Sequence, residues 1–194
     1  MKTRYTSAEL TTPHIMDVQD SFGFVEGVSL ISSEFRDSLV LGPATTVWAQ
    51  AGENKALWAA AENPAPGTVL VVAGASAMTS AMMGENLYAA LVAAGYTAVV
   101  VDGPIRDSPE IVRGPIPVAC RGIDPRRPRK AAPFLRDVPV AVGNTPVLPG
   151  DWIAIDVEGV VRVPAADIDR VLDAALAAAA EEAADRAAAI KAQK

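Results

Sequence analysis

The chain has 194 residues, enough for one domain whose core needs no disulfide staples. Seventeen basic residues against 23 acidic ones give a net charge of −6 at pH 7, which argues against electrostatic binding to nucleic acid or an anionic membrane as its main task. A single cysteine, Cys120, excludes an internal disulfide and a cysteine-built zinc site, and a single histidine, His14, excludes a His–His metal site.

In chain order, residues 7–10 and 15–22 carry helical spacing and form a helical entry. Residues 39–49 (LVLGPATTVWA) read as a strand broken at Gly42-Pro43, since proline cannot donate to a ladder. Residues 53–62 form a short helix stopped by Asn63-Pro64. An alternation follows: strand 68–73, helix 84–94 with Leu87, Leu91 and Ala94 on one face, and strand 97–101. Then come a turn at Asp102-Gly103-Pro104, a short helix from about Ser108-Pro109, and strand 116–120. Near-continuous Val/Ala runs between helices predict strands covered on both faces.

The second half changes character. Residues 124–130 (DPRRPRK) are a basic, proline-rich loop. Segments 138–142, 145–148, 152–157 and 160–163 are short strands in a meander-like antiparallel pattern, punctuated by Gly143-Asn144, Pro149-Gly150-Asp151 and Glu158-Gly159. One long helix runs from Ala165 to about Lys191, with Ile168, Val171, Leu172, Ala175 and Leu176 on one stripe. Beyond Ala177 the helix is mostly alanine with charges, which predicts a projecting end. The polar first residues (MKTRYTSAE) and the short apolar runs predict a cytoplasmic protein without a membrane span.

The densest chemistry lies at two strand-to-helix connections: Gly84, Glu85, Asn86 and Leu87, and the segment containing Arg106, Asp107 and Glu110. Ligands of α/β folds bind in the crevice outside the carboxyl ends of the strands. A helix start at 84–86 offers free N–H groups and a positive dipole end, which suit a carboxylate. Arg106 can grip a carboxylate bidentately. Asp107, with Glu85 and Glu110, can hold a hard divalent cation, because Mg²⁺ takes one or two carboxylates and keeps several waters. Plainer readings stand beside these. Asp107 and Glu110 have the spacing of a capping box, Glu85 complements a helix dipole, and Arg106 beside Asp107 fits a surface ion pair of little value.

The spacing Glu85–(twenty residues)–Arg106-Asp107–(two residues)–Glu110 resembles the signature of the class II aldolases that cleave 4-hydroxy-4-methyl-2-oxoglutarate and 4-carboxy-4-hydroxy-2-oxoadipate (HMG/CHA aldolases). These belong to the RraA-like superfamily, with the regulator of ribonuclease E activity. Other segments match in order. Leu41-Gly42-Pro43-Ala44-Thr45-Thr46-Val47 is similar to VGPAVTV, and the segment from Cys120 to Arg126 to the RG-x-TPR loop. Pro139–Gly143 resembles PV-x-x-GG, Pro149–Trp152 resembles PGD-x-V, and Asp156–Val161 resembles D-x-DGVV. The likeness covers roughly residues 8–165. It departs at Glu85, where the aldolases have Asp and many RraA proteins Gly, at Asn144 and at Glu158.

The resemblance implies an RraA-like α/β/β/α layered sandwich, with a mixed sheet core over residues 1–164 and a C-terminal helix, 165–194, packing on that domain or on a neighbouring subunit. It implies a homotrimer or hexamer, Asp107 as the one direct protein ligand to Mg²⁺ or Mn²⁺, and Glu85 and Glu110 acting through metal-bound waters. Arg106, Gly84, and the backbone N–H groups of Glu85, Asn86 and Leu87 would bind a small 2-oxo acid substrate. The chemistry would be retro-aldol cleavage of a 4-hydroxy-2-oxo acid to pyruvate, oxaloacetate decarboxylation, or both. The rival implied by the same superfamily is a non-catalytic regulator that binds a ribonuclease, and a third reading is a divergent enzyme with another small substrate. Of the remaining residues, His14 is expected to be structural, Cys120 an inert packer, and Met78, Met82 and Met83 packing residues. The loop cations Arg126, Arg127, Arg129 and Lys130 are either solvated or a rim that attracts a dicarboxylate.

Overall fold

A computed structural model describes residues 1–19, 23–74 and 78–192. Its elements are β1 (Arg4–Thr6), α1 (Thr12–Val18), β2 (Ser29–Leu30), β3 (Ser38–Ala49), α2 (Lys55–Glu62), β4 (Val69–Ala73), α3 (Glu85–Ala93), β5 (Ala98–Ile105), α4 (Ser108–Val112), β6 (Val118–Ile123), β7 (Phe134–Arg136), β8 (Val140–Val142), β9 (Thr145–Val147), β10 (Trp152–Ile155), β11 (Val160–Val163) and α5 (Ile168–Ala192). The main sheet runs β11-β10-β3-β4-β5-β6-β2, with β1 and β7 also paired to β3, and β8-β9 is a separate hairpin. The pairs β3-β4, β4-β5 and β5-β6 are parallel, and the other pairs are antiparallel.

Side-chain alternation builds the layers. Along β4 and β5, Leu70, Val72, Val99 and Val101 face α2 and α3, where they meet Leu57, Leu87 and Leu91. The intervening Val69, Val71, Ala98 and Val100 face inward, onto Val142 and Val147 of the small hairpin and Ile153 and Ile155 of β10. On the far side of β10 and β11, Ala154, Val161 and Val163 pack with Leu10 and Ile15 near α1 and with Ile168, Val171, Leu172 and Ala175 of α5. The result is a helix–sheet–sheet–helix sandwich, as the motif resemblance implies. Its two sheet halves are joined through β3. From Ser38 to Pro43, β3 pairs with β1 and β10, and from Ala44 to Trp48 it pairs with β4.

Four expectations need correction. β3 is one strand of 12 residues and does not break at Gly42-Pro43. Gly42-Pro43 is instead the step at which the strand changes partners, and Ala44 N–H donates to Asp151 O at 2.7 Å there. β5 continues through Asp102-Gly103-Pro104, where a turn was expected; the ladder to β6 shifts register between Val101 and Pro104, so a bulge absorbs the Gly-Pro step. The late strands are two hairpins, not a meander, because β10 leaves β9 to pair with β3. The entry helix covers only Thr12–Val18, and residues 7–9 form a turn behind β1. The end of the expected segment, 20–22, lies outside the described residues. The very short β1, β2 and β7 carry no periodic signal and were not expected.

The first half of α5 is integral to the core, whereas every residue from Ala180 to Ala192 is exposed. His14 is buried, accepts the Thr11 N–H at 3.1 Å and stands 3.5 Å from Glu182 of α5, a structural place as expected. No helix among the described residues is long and apolar enough to cross a membrane.

Candidate functional site

The parallel centre of the sheet sets the site. The chain approaching α3 first runs beside the end of β5. Met82 N–H donates to Pro104 O at 2.8 Å and Arg106 N–H to Met83 O at 2.9 Å, with Met83 and Ile105 forming a parallel bridge. Met82 and Met83 are fully buried and anchor this approach, while Met78 is exposed. The N-terminus of α3 is thereby fixed against the Arg106-Asp107 step.

Asp107 turns the chain from β5 into α4 with φ 55° and ψ 39°, a left-handed conformation that aspartate tolerates better than most residues. It occupies the N-cap position of α4, yet its side chain makes no cap hydrogen bond. Its Oδ2 instead reaches across to accept the Glu85 N–H at 3.2 Å. The capping-box reading of Asp107 and Glu110 therefore fails, because the carboxylate serves the start of the neighbouring helix. Gly84 permits this approach: a Cβ built there would lie 2.4 Å from Asp107 Oδ2 and 3.1 Å from Arg106 Nε. Arg106 Nε stands 3.5 Å from Asp107 Oδ2, and both side chains are about a third exposed (35% and 37%). Such a pair contributes little to stability.

A cleft of ≈ 390 Å³ opens here, lined by Gly84, Asn86, Leu87, Arg106 and Asp107 from the β4–α3 and β5–α4 connections. Asn54, Trp58, Arg127, Pro128 and Lys130 complete the lining. Five of the residues singled out from the sequence thus share one cleft. Glu85 contributes its backbone N–H, but its side chain is exposed and does not line the cleft. Glu110 is exposed, 3.9 Å from Arg113 on the same helix.

Asn54 and Trp58 were missed. An asparagine before a helix reads as a cap, and a tryptophan in a helix reads as packing. Asn54 is indeed the N-cap of α2, but its side chain makes no cap hydrogen bond. The structure sorts the charges of the basic loop. Arg126 is paired with Asp124, Nη2 to Oδ2 at 2.5 Å, and holds that carboxyl down at about 2. Arg129 pairs with the buried Glu53 at 3.3 Å, whose carboxylate also accepts the Ala131 and Ala132 N–H groups at 2.8 and 3.2 Å. These bonds clamp the loop to the start of α2 and leave Arg127 and Lys130 to the cleft. Lys130 Nζ rests over the Trp58 ring, 4.6 Å from its centroid. Three cations against one carboxylate make the cleft a local attractor for anions in a chain of net charge −6.

Residues 12–162 match the RraA-like family, described as Aldolase/RraA. The chain belongs to the RraA-like family. One relative in Halalkalibacterium halodurans, named "Putative 4-hydroxy-4-methyl-2-oxoglutarate aldolase", is 32% identical over 166 residues, covering 86% of this chain and 78% of that protein. Among solved structures, Streptomyces coelicolor RraAS2, described as an unusual member of the RNase ES inhibitor RraA protein family, superposes with TM-score 0.78 at 29% identity, covering 94% of this chain and 92% of that one. The RNA-processing inhibitor RraA from Thermus thermophilis superposes with TM-score 0.72 at 25% identity, covering 80% and 93%.

Several of the polar residues in the segments singled out from the sequence have structural work. Asp151 accepts from Leu148 N–H at 2.8 Å, Arg162 Nε at 2.7 Å and Ala165 N–H at 3.1 Å, so it fixes the turn into β10 and the entry to α5. Asp156 takes the Thr12 N–H and hydroxyl at 2.6 and 2.7 Å and the Glu158 N–H at 2.9 Å, which pins α1 to the β10–β11 turn. Arg121 pairs with the fully buried Asp102 of β5. Cys120 is buried, and desolvation pushes its thiol up to about 11, the packing role expected of it.

The donor set also suits a hard cation. One partly exposed carboxylate leaves most coordination positions to water and substrate, which is how Mg²⁺ binds. Among the described residues no three His, Cys, Asp or Glu groups gather into an all-protein cage.

Proposed function

We propose that this chain is a divalent-metal lyase acting on a 2-oxo acid, by retro-aldol cleavage of a 4-hydroxy-2-oxo acid to pyruvate, by oxaloacetate decarboxylation, or by both. The observation that carries this reading is the Arg106-Asp107 step held against the N-terminus of α3 in a cationic cleft. Arg106 binds the carboxylate of the 2-oxo acid, and the N–H groups at the start of α3 orient the same end. Asp107 would hold Mg²⁺ or Mn²⁺, and Glu85 and Glu110, whose side chains lie outside the cleft lining, would reach it only through water. That ion, when bound, supplies Lewis-acid polarisation of the 2-oxo group. Arg127 and Lys130 draw an anionic substrate into the cleft. The working assembly on this reading is a cytoplasmic homotrimer or hexamer, with no nucleic-acid or membrane partner.

The experiment is pyruvate release from a panel of 4-hydroxy-2-oxo acids and from oxaloacetate, with and without Mg²⁺. Asp107→Ala should abolish the Mg²⁺-dependent rate and leave the melting temperature within a few degrees. Turnover that survives both this substitution and EDTA refutes the metal-lyase reading. The second reading is a regulator that binds a ribonuclease, which the names of the two structural neighbours favour. Pull-down of a ribonuclease by a chain inert towards every panel substrate would put it first.

A further inference from the structure

Two buried polar atoms among the described residues of the cleft lining have no hydrogen-bond partner: Asn54 Oδ1 and Trp58 Nε1. One is an acceptor and the other a donor. Asn54 is only 4% exposed. The two residues sit one helical turn apart, with Trp58 N–H donating to Asn54 O at 3.2 Å, so they share a face of α2. A buried polar group left unpaired is costly, and in a binding cleft it points to a partner that arrives with the ligand.

We propose that Asn54 and Trp58 together read a hydroxyl group of the substrate, Asn54 Oδ1 accepting the hydroxyl proton and the Trp58 indole N–H donating to its oxygen. This inference rests on the 2-oxo acid lyase reading for the class of ligand, and it adds the pair that selects a hydroxylated member of that class. A donor and an acceptor on one helix face match a hydroxyl, which offers both roles, whereas a carboxylate only accepts and an ammonium only donates. Lys130 Nζ lies 4.6 Å from the Trp58 ring centroid and lines the same cleft, where it can meet a second carboxylate of the ligand. A 2-oxo acid without the hydroxyl still enters, but leaves both atoms unpaired.

The test uses non-cleavable probes that lack the 2-oxo group. Binding of 2,4-dihydroxyglutarate and 2-hydroxyglutarate, which differ only by the hydroxyl on C4, is measured calorimetrically on the full chain with Mg²⁺. The wild type should prefer the 4-hydroxylated probe by about tenfold or more, and Trp58→Phe should remove most of that preference. As a second measurement on the unmutated chain, the Trp58 indole N–H resonance should move with the 4-hydroxylated probe and stay in place with the other. Equal affinity of the wild type for the two probes, or a Trp58 resonance indifferent to the hydroxyl, overturns the inference even if pyruvate is released from 4-hydroxy-2-oxo acids. Hydroxyl discrimination in a chain that releases no pyruvate keeps the inference and removes the lyase reading.

Discussion

Replacing Gly84 by alanine separates the cost of the fold from the cost of the site. The Gly84 backbone is extended, with φ −135° and ψ −178°, so an alanine adopts it without strain. Its Cβ would lie 2.4 Å from Asp107 Oδ2, while an unstrained carbon–oxygen contact needs roughly 3.3 Å. The Asp107 carboxylate must therefore retreat by roughly 1 Å and release the Glu85 N–H. The global penalty is small, because the atom that moves ends a partly exposed side chain and alanine is merely a poorer N-cap than glycine. About 1 kcal/mol is expected, or a melting point lower by about 2–4 °C for a chain of this size. The catalytic penalty is large, because a 1 Å misplacement of a group at the reacting centre can cost about 10²-fold. Steady-state pyruvate release and thermal melts on the same preparation measure both. Full activity with a lowered melting point would refute the role given to the Asp107–α3 contact. A loss of roughly 3 kcal/mol or more would show that Gly84 supports the core and not the site.

Arg106→Ala should lower kcat/KM by about 30- to several-thousand-fold, the cost of leaving a charged partner unpaired, and Arg106→Lys should recover only part of it because an ammonium lacks the planar fork; full recovery by lysine would point to a charge effect alone. Asp124, held at about 2 against an ordinary 3.8 by Arg126, contributes stability that is fully present above pH 3.8 and lost as pH falls through about 2. The difference in melting temperature between wild type and Asp124→Asn should accordingly stay constant from pH 8 to pH 5 and shrink only below about pH 4, and a difference that peaks near neutrality would contradict the pairing. Cys120, with its thiol at about 11, should resist alkylation at pH 8 until the chain unfolds, and rapid labelling of the native protein would contradict its burial.

The β–α alternation and the C-terminal helix were legible because their signals are local and strong, whereas the layered sandwich followed from the motif resemblance. The runs VLVVA and AVVV cannot be exposed on either face, and the stripe from Ile168 to Leu176 has one helical solution. The short strands were illegible for the opposite reason: β2 and β7 hold two and three residues, and their pairing with β6 and β3 is set by distant partners. Gly42-Pro43 and Gly103-Pro104 misled because such steps usually end strands, whereas here one marks a change of partner and the other a bulge. Arg106, Asp107 and the start of α3 were found because they lie at strand-to-helix connections and their spacing resembles the RraA-like signature, and the two connections meet because β4 and β5 are parallel neighbours inside the sheet. Asn54 and Trp58 were missed because their significance is negative: each lacks a bond that its position in a helix would lead one to assume.

The sharing of β3 between both halves of the sandwich governs how the molecule comes apart. Neither half can detach as a unit, because the strand that would have to be surrendered is the other half's own central neighbour. The amides of Leu39–Val47 should thus exchange with solvent only through global opening, at one common free energy along the strand, while the exposed turns of α5 beyond Ala180 exchange freely. Assembly faces the mirror image of that constraint. Residues 40 and 155 must find each other across more than half of the chain before β3 has both sets of neighbours, which places this protein among slow folders governed by non-local pairing.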